Sequence, residues 1–277
     1  MDMDSICGGF VNIQRGKFSI TQFNPKIWNT LRFGIWDGGG DELILTLLEY
    51  SKYSDTIFRV IKHDGMTAEA LEFFKKDTRP GTVYITPSVH ASIASSLPQN
   101  FKVLYSAWRP SYLVYSPPPP MVTHSIQKVC FRGQGCVPIR EQLFEEFKDH
   151  PLVDFKLTKG TWHPEFKNDP NRLTHEEQRK YRGLVSVEGS GHPSNLEWVL
   201  GSGCVPVVHC TFLTGLQMDM RPWVHYVPFT DEGVRWIFDN PEKADTIIMN
   251  AVQLHKEIKL HVHKQMASLV TNEPHRR

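Results

Sequence analysis

Arginines, glycines and the start of a helix recur in this sequence at spacings that suit the binding of an anion. Cys130-Phe131-Arg132-Gly133-Gln134 ends an apolar run in an arginine and a glycine, and Arg140 follows seven residues after Gly133. A strand ending at Arg132, close backbone approach at Gly133 and a helix opening near Arg140 would gather two guanidinium groups, free amides and a helix dipole. An arginine pair on a solvated turn is the plainer reading, and both stand at this point.

A second cluster joins Lys180-Tyr181-Arg182-Gly183 to Gly189-Ser190-Gly191-His192-Pro193-Ser194-Asn195. Basic residues, glycines, a hydroxyl and an amide lie between an expected strand and an expected helix, whose first turn Pro193 favours. Such a helix start could hold a diphosphate; a glycine-rich turn without a ligand has the same composition. The segment lacks the lysine of a P-loop and does not match GxGxxG. In Pro222-Trp223-Val224-His225-Tyr226-Val227-Pro228, bulky residues bounded by prolines predict a short strand over Val224–Pro228. His225 there reads more simply as a packed residue than as a catalyst.

The fourth cluster, Arg59-Val60-Ile61-Lys62-His63-Asp64-Gly65, delivers an aspartate from a strand to a turn. Asp64 there could act as a general base toward a hydroxyl, or simply cap the following helix. Asp37-Gly38-Gly39-Gly40-Asp41 offers Asp37 or Asp41 as the substitute base. No metal-ligand set is nominated. The sole Asp-x-Asp is Asp2-Met3-Asp4, with no strand before it. The Cys130/Cys136 and Cys204/Cys210 spacing matches no zinc pattern, and His255, His261 and His263 are read as solvated on a helix.

The elements that must position these residues alternate between strand and helix. Strands are expected at Thr56–Ile61, Gly81–Ile85, Val129–Arg132, Gly183–Val187 and Cys204–His209. Helices are expected at Asp41–Tyr50, Thr67–Phe74, Arg140–Phe147, Pro193–Leu200, Asp231–Phe238, Pro241–Val252 and His255–Leu269. Ser116-Pro117-Pro118-Pro119-Pro120 cannot lie inside a helix or central strand and marks a boundary. The expectation is an α/β protein: residues 1–122 and 123–252 each form an open parallel-sheet domain, and 253–277 form a helix packing back on the first. Two such domains facing each other would hold a ligand in the cleft between them.

At 277 residues, 40% hydrophobic and 22% charged, the chain can bury a core without metal or disulfide staples. A net charge of +1 argues against a nucleic-acid binder but leaves room for a local basic pocket. No apolar stretch reaches the ~18 residues of a membrane span. The N-terminus lacks the basic-then-apolar pattern of a secretory signal. Five cysteines, without a CxxC pair, predict free thiols and a reducing, cytoplasmic setting.

Together the clusters resemble glycosyltransferase family ninety over about Asp55 to Glu257. The family includes protein O-glucosyltransferases, fungal capsule-associated proteins and bacterial lipopolysaccharide glycosyltransferases. Pro222–Pro228 is similar to the family's "PWVHYIPV" signature and Gly201–Val207 to its "sGSvvl" strand. Phe131-Arg132-Gly133 with Arg140 resembles its "FRGs…R" donor loop, and Ser106-Ala107-Trp108 its "PAW" element.

The resemblance implies a GT-B architecture of two Rossmann-like domains facing a central cleft, and an inverting, metal-independent transfer from a UDP-sugar to a glycan hydroxyl. Arg132 and Arg140 would meet the diphosphate, with Gly133 and Gln134 in the donor loop. Gly189, Ser190, Gly191, His192, Ser194 and Asn195 would lie beside the nucleotide, and His225 in the strand after it. Asp64 falls at the family's general base, and Trp108 and His63 fall on the acceptor side. Lys62, His63 and Gly65 depart from the usual "vRDyP" flanks, and Asn195 replaces an arginine of many members. A compact cytoplasmic member resembles the capsid-glycan xylosyltransferases of large algal chloroviruses, which would work in the host cytoplasm. Xylose is on that account held slightly ahead of glucose. A catalytically degenerate module that binds a glycan or nucleotide-sugar is the alternative, and a nucleotide-sugar hydrolase or epimerase is weaker still. No cofactor is expected, and the oligomeric state is not legible.

Overall fold

The computed structural model describes residues 9–15, 17–22, 47, 52, 56–61, 66–76, 81–86, 88–105, 124–135, 137–159, 165, 168–189 and 191–270. Contacts divide the chain into two compact units. The first takes Met1–Val114, Thr211–Asp219 and Ile258–Arg277; the second takes Tyr115–Cys210 and Met220–Glu257.

In the first unit, β1 (Gly9–Gln14) and β2 (Lys17–Gln22) form a hairpin in which Gln14 pairs with Lys17. The two-residue connection puts Arg15 at φ 48°, the left-handed geometry that matches the twist of the flanking strands. β3 (Ile57–Ile61), α1 (Ala68–Lys75), β4 (Thr82–Thr86) and β6 (Phe101–Val103) follow, with the short β5 (Val89–His90) and the 3₁₀ turn Ala91–Ser96 between the last two strands. The sheet order is β2-β1-β3-β4-β6. β3, β4 and β6 are parallel, but β1 is antiparallel to both of its neighbours. The expectation of a parallel sheet in this half is therefore corrected to a mixed one, because a two-residue connection can only join antiparallel strands. Tyr84 and Phe101 stack at 4.6 Å above Phe74 and Leu71 of α1, giving the unit its core.

The second unit contains β7 (Ile126–Gln134), α2 (Pro138–Phe147), β8 (Val153–Thr158), α3 (His175–Gln178), β9 (Tyr181–Val187), α4 (Leu196–Gly201) and β10 (Val205–His209). The chain then gives β11 (Phe212–Leu213) and α5 (Gly215–Asp219) to the first unit. It returns with β12 (Val227–Pro228) and α6 (Asp231–Asp239). The last helix, α7 (Pro241–Val270), belongs to the second unit as far as Glu257. The two helices expected at Pro241–Val252 and His255–Leu269 are thus one, since Gln253 and Leu254 between them are good helix formers.

Strands of the second unit lie in the order β12-β10-β9-β7-β8, and every neighbouring pair is parallel. Their side chains alternate between two covered faces, as a buried parallel sheet requires. Val129, Phe131, Val185, Val187, Val205 and Val207 pack with Phe147 of α2, Ile237 of α6 and Ile247 of α7. Cys130 and Leu184 meet Trp198 and Val199 of α4 on the other face. Burying an aromatic such as Phe131 or Phe155, stacked at 4.2 Å, is worth roughly 1.5–3 kcal/mol each.

Among the described residues no helix is long and apolar enough to cross a membrane. Cys130, Cys204 and Cys210 are free thiols, the first two buried. His255 is packed against Gly201, and His261 stacks on Tyr105 at 4.9 Å, so neither is the solvated side chain expected.

Candidate functional site

Counted along the chain, the five strands of the second unit are arranged second, first, third, fourth, fifth. The order reverses between β7 and β9. Loops leaving two such strands diverge to opposite faces and open a crevice at their carboxyl ends, where open α/β sheets bind ligands.

Arg140 occupies that crevice. It enters on the first turn of α2, which Pro138 starts without needing its missing N–H. Its Nη1 donates to the Gln134 carbonyl at the end of β7 at 3.1 Å. Its Nη2 and Nε donate to the carbonyls of Val187 and Glu188, at the end of β9, at 3.0 and 2.9 Å. The guanidinium therefore ties the two strand ends together and places a fixed positive charge among carbonyl oxygens that would otherwise repel an anion. The guanidinium carbon lies 5.7 Å from the Phe131 ring centroid. That ring also explains Gly133: a Cβ there would fall 2.5 Å from its Cζ, and Phe131 is buried and held by Phe155.

Past β9, Glu188 donates its N–H to the His209 carbonyl at 3.3 Å, and the Gly189 N–H reaches the Gly191 carbonyl at 3.2 Å. Glu188, Gly189 and Gly191 thus lie at the carboxyl edge beside Arg140. Gly191 is buried, His192 half-buried and Ser194 exposed. Helix α4 begins at Leu196 rather than at Pro193, because the preceding residues form a turn closed by the Leu196 N–H on the Pro193 carbonyl. Asn195 is tied to the sheet: its Oδ1 accepts from the Ser186 hydroxyl at 2.8 Å and its Nδ2 donates to the Val185 carbonyl at 3.3 Å.

Arg132 lies on the Cys130 side of β7. Its Nη2 pairs with Asp154 Oδ2 at 2.6 Å, and its Nη1 donates to the Phe131 and Asp154 carbonyls, each at 2.8 Å. The Tyr181 hydroxyl donates to the same Asp154 oxygen at 2.5 Å. Burial pushes the Asp154 carboxyl up, but the hydrogen bonds from Arg132 and Tyr181 outweigh it and hold the group below its ordinary value. Burial also pushes the Cys130 thiol up to about 12, so it stays protonated and inert. Arg132, Asp154 and Tyr181 thus brace β7, β8 and β9.

The second sequence cluster is divided by the fold. Lys180 and Arg182 lie at the amino end of β9, the edge opposite the Gly189–Asn195 turn. Arg182 there anchors α7, through Asp245 at 2.7 Å and the Pro241 carbonyl at 2.9 Å.

The expected strand Val224–Pro228 is corrected to a tight turn followed by the two-residue β12. The Trp223 N–H donates to the Tyr226 carbonyl at 2.7 Å, and the Arg221 N–H to His225 Nδ1 at 3.0 Å. Trp223 takes φ 64°, a strained value for a bulky residue that the surrounding hydrogen bonds enforce. His225 accordingly lies in that turn, where its ring accepts a backbone bond.

Asp64, Asp37, Asp41, His63, Trp108 and Ser190 fall outside the described residues. Among the described residues no three His, Cys, Asp or Glu side chains converge on a metal position. Sequence reasoning missed Asp154, Glu188 and His209. His209 was accessible to it once β10 was assigned, since the polar residue closing an apolar strand lies on the ligand-binding edge.

A profile described as Glycosyl transferase family 90 matches residues 123–272, more than half of the chain. The O-glucosyltransferase LpsA of Dichelobacter nodosus is 27% identical over 139 residues, which cover 46% of this chain and 42% of that relative. The chain therefore spans less than half the length of that relative. With the parallel sheet, its crevice and its turn all inside the matched segment, the chain belongs to glycosyltransferase family 90.

Proposed function

We propose that this chain is an inverting, metal-independent transferase of GT-B architecture that moves a sugar from a UDP-sugar to a glycan hydroxyl. The carrying observation is the reversal of strand order between β7 and β9, with Arg140, Glu188, Gly189 and Gly191 at the carboxyl ends of those strands. In this reading the diphosphate lies against Arg140, Gly189, Gly191, His192 and Ser194, where preorganised donors offset the charge of the leaving group. Gly133 and Gln134 shape the donor loop, while Arg132, Asn195 and His225 hold its supports.

Transfer is a single displacement. A carboxylate, Asp64 in this proposal, takes the proton of the acceptor hydroxyl as its oxygen bonds to the anomeric carbon. The bond from that carbon to the UDP oxygen breaks, and UDP leaves with the electron pair. Charge at the anomeric carbon is that of an oxocarbenium ion, as in glycoside hydrolysis. Among the described residues Cys130, Cys204 and Cys210 are free thiols, which fits a reducing, cytoplasmic setting. UDP-xylose and UDP-glucose are the donors to compare: the sequence resemblance favours the first, and the name of the bacterial relative favours the second.

One observation favours a second reading. Asn195 stands where many family members carry an arginine, and its amide is used by Ser186 and Val185. A module that binds a nucleotide-sugar or glycan without turnover would tolerate that change.

Thermal unfolding with UDP, UDP-xylose, UDP-glucose, GDP and ADP, each with and without EDTA, tests the reading. A ligand at 100 times its Kd stabilises the fold by ~2.7 kcal/mol. Shifts with UDP and one UDP-sugar, unaffected by EDTA, support it; a response to purine nucleotides alone, or one abolished by EDTA, sinks it. NMR of the product anomer then tests inversion.

A further inference from the structure

His209 closes β10 at the carboxyl edge of the second sheet, in register with Val187 of β9. Its carbonyl accepts the Glu188 N–H, so its backbone is tied to the turn beside Arg140. The residue is half-buried, and its Nδ1 is buried without a hydrogen bond among the described residues. Folded proteins pair nearly all buried polar atoms, and exceptions concentrate where function uses them. A side chain serving only the fold at this position would be better apolar, as Val205, Val207 and Val208 are along the same strand.

The chemistry of the ring narrows its use. With no acceptor beside Nδ1, the proton of a neutral imidazole belongs on Nε2. The ring then offers one N–H donor at the edge where a parallel sheet binds its ligand. Phosphate and uracil oxygens accept hydrogen bonds, so that donor matches a nucleotide.

We infer that His209 is a substrate-binding residue whose Nε2–H donates to an oxygen of the bound nucleotide. The inference rests on the UDP-sugar reading above and adds to it a contact from β10, one strand beyond the β7–β9 crevice.

Two variants test it, His209→Phe and His209→Gln, each measured for UDP affinity by calorimetry and for stability of the free protein in urea. His209→Phe keeps a flat ring and removes the unpaired nitrogen. It should leave the free protein at least as stable as the wild type while weakening UDP about tenfold. His209→Gln restores an N–H donor and should recover part of that affinity. If the wild type binds no UDP, the nucleotide reading itself fails and His209 falls with it. If the wild type binds UDP and His209→Phe binds equally well, the His209 assignment alone is overturned. A His209→Phe protein that is clearly less stable, with no recovery of affinity in His209→Gln, also overturns it: the ring then serves the fold.

Discussion

The Arg140 guanidinium donates from Nε to the carbonyl oxygen of Glu188 at 2.9 Å, joining the first turn of α2 to the residue that follows β9. The other bonds of the same group, to Val187 and Gln134, make Arg140 a clamp across the reversal of strand order. A lysine is a point charge and cannot reproduce this fork. Arg140→Lys should therefore cost stability, roughly 1–3 kcal/mol, by leaving carbonyls without a donor. It should also weaken UDP at least tenfold. Urea denaturation and calorimetry check both, and wild-type affinity in this variant would remove Arg140 from the donor site.

Arg132 is expected to separate from Arg140 in the same measurements. Its side chain is 9% exposed and its Asp154 partner 21%, so the pair is largely desolvated. Arg132→Met leaves Asp154 without its cation and should cost about 3 kcal/mol, the low end for a broken buried pair. Asp154 sits below its ordinary value, so its contribution is full above that value and is lost as pH falls through the folded one. Arg132→Met should remove this acid-limb dependence, and its effect on UDP affinity should be smaller than that of Arg140→Lys. A larger effect on affinity than on stability would make Arg132 a direct donor contact.

His175 stacks on Trp198 at 4.1 Å, and burial holds its imidazole below the ordinary 6.5. His124, which shares a hydrogen bond with the Gly203 carbonyl, is lowered by burial and then by the charge of Arg182. Each binds fewer protons in the fold than in the unfolded chain. Their contribution to stability is therefore full above about 6.5 and declines as pH falls through 6.5 toward the folded values. Chemical denaturation at pH 7.5 and 5.5 should show the loss. His175→Phe, which keeps a ring against Trp198, should shrink it; an unchanged pH difference would rule His175 out as a source.

Asp64→Asn should abolish most sugar transfer, by about 10²-fold or more for the loss of a general base, while UDP affinity stays within a factor of two or so. Discontinuous product assay and calorimetry on one preparation separate the two effects. Unchanged turnover would direct the search to Asp37 and Asp41. Absence of turnover in the wild type would favour the binding-module reading.

Much of the second unit was legible in its sequence. The largely β-branched run Val205–Val208 reads as a buried strand, and the helix expected from Asp231 begins there, capped by the Thr230 side chain. Helix α2 begins at Pro138, two residues ahead of the expected Arg140. The first unit is less legible. Its β1–β2 hairpin alternates polar with apolar residues and turns in two residues, a strand signal that the expected elements do not include. The Trp223 turn was read as strand because its bulky residues carry β propensity, which gives way where tertiary hydrogen bonds impose a positive φ.

By itself the sequence determined the alternation of strand and helix, the absence of a dinucleotide fingerprint, and the family motifs with their spacing, because each is a property of neighbours in the chain. Only the tertiary structure decided that Arg140 bridges two strand ends, that Arg132 belongs to Asp154, and that Lys180 and Arg182 lie at the opposite edge from the Gly189 turn. These facts depend on strand order and register. A seven-residue strand carries the chain about 20 Å, so residues close in sequence end at opposite edges of one sheet. Parallel pairing brings Gln134 and Glu188, distant in sequence, within reach of one guanidinium.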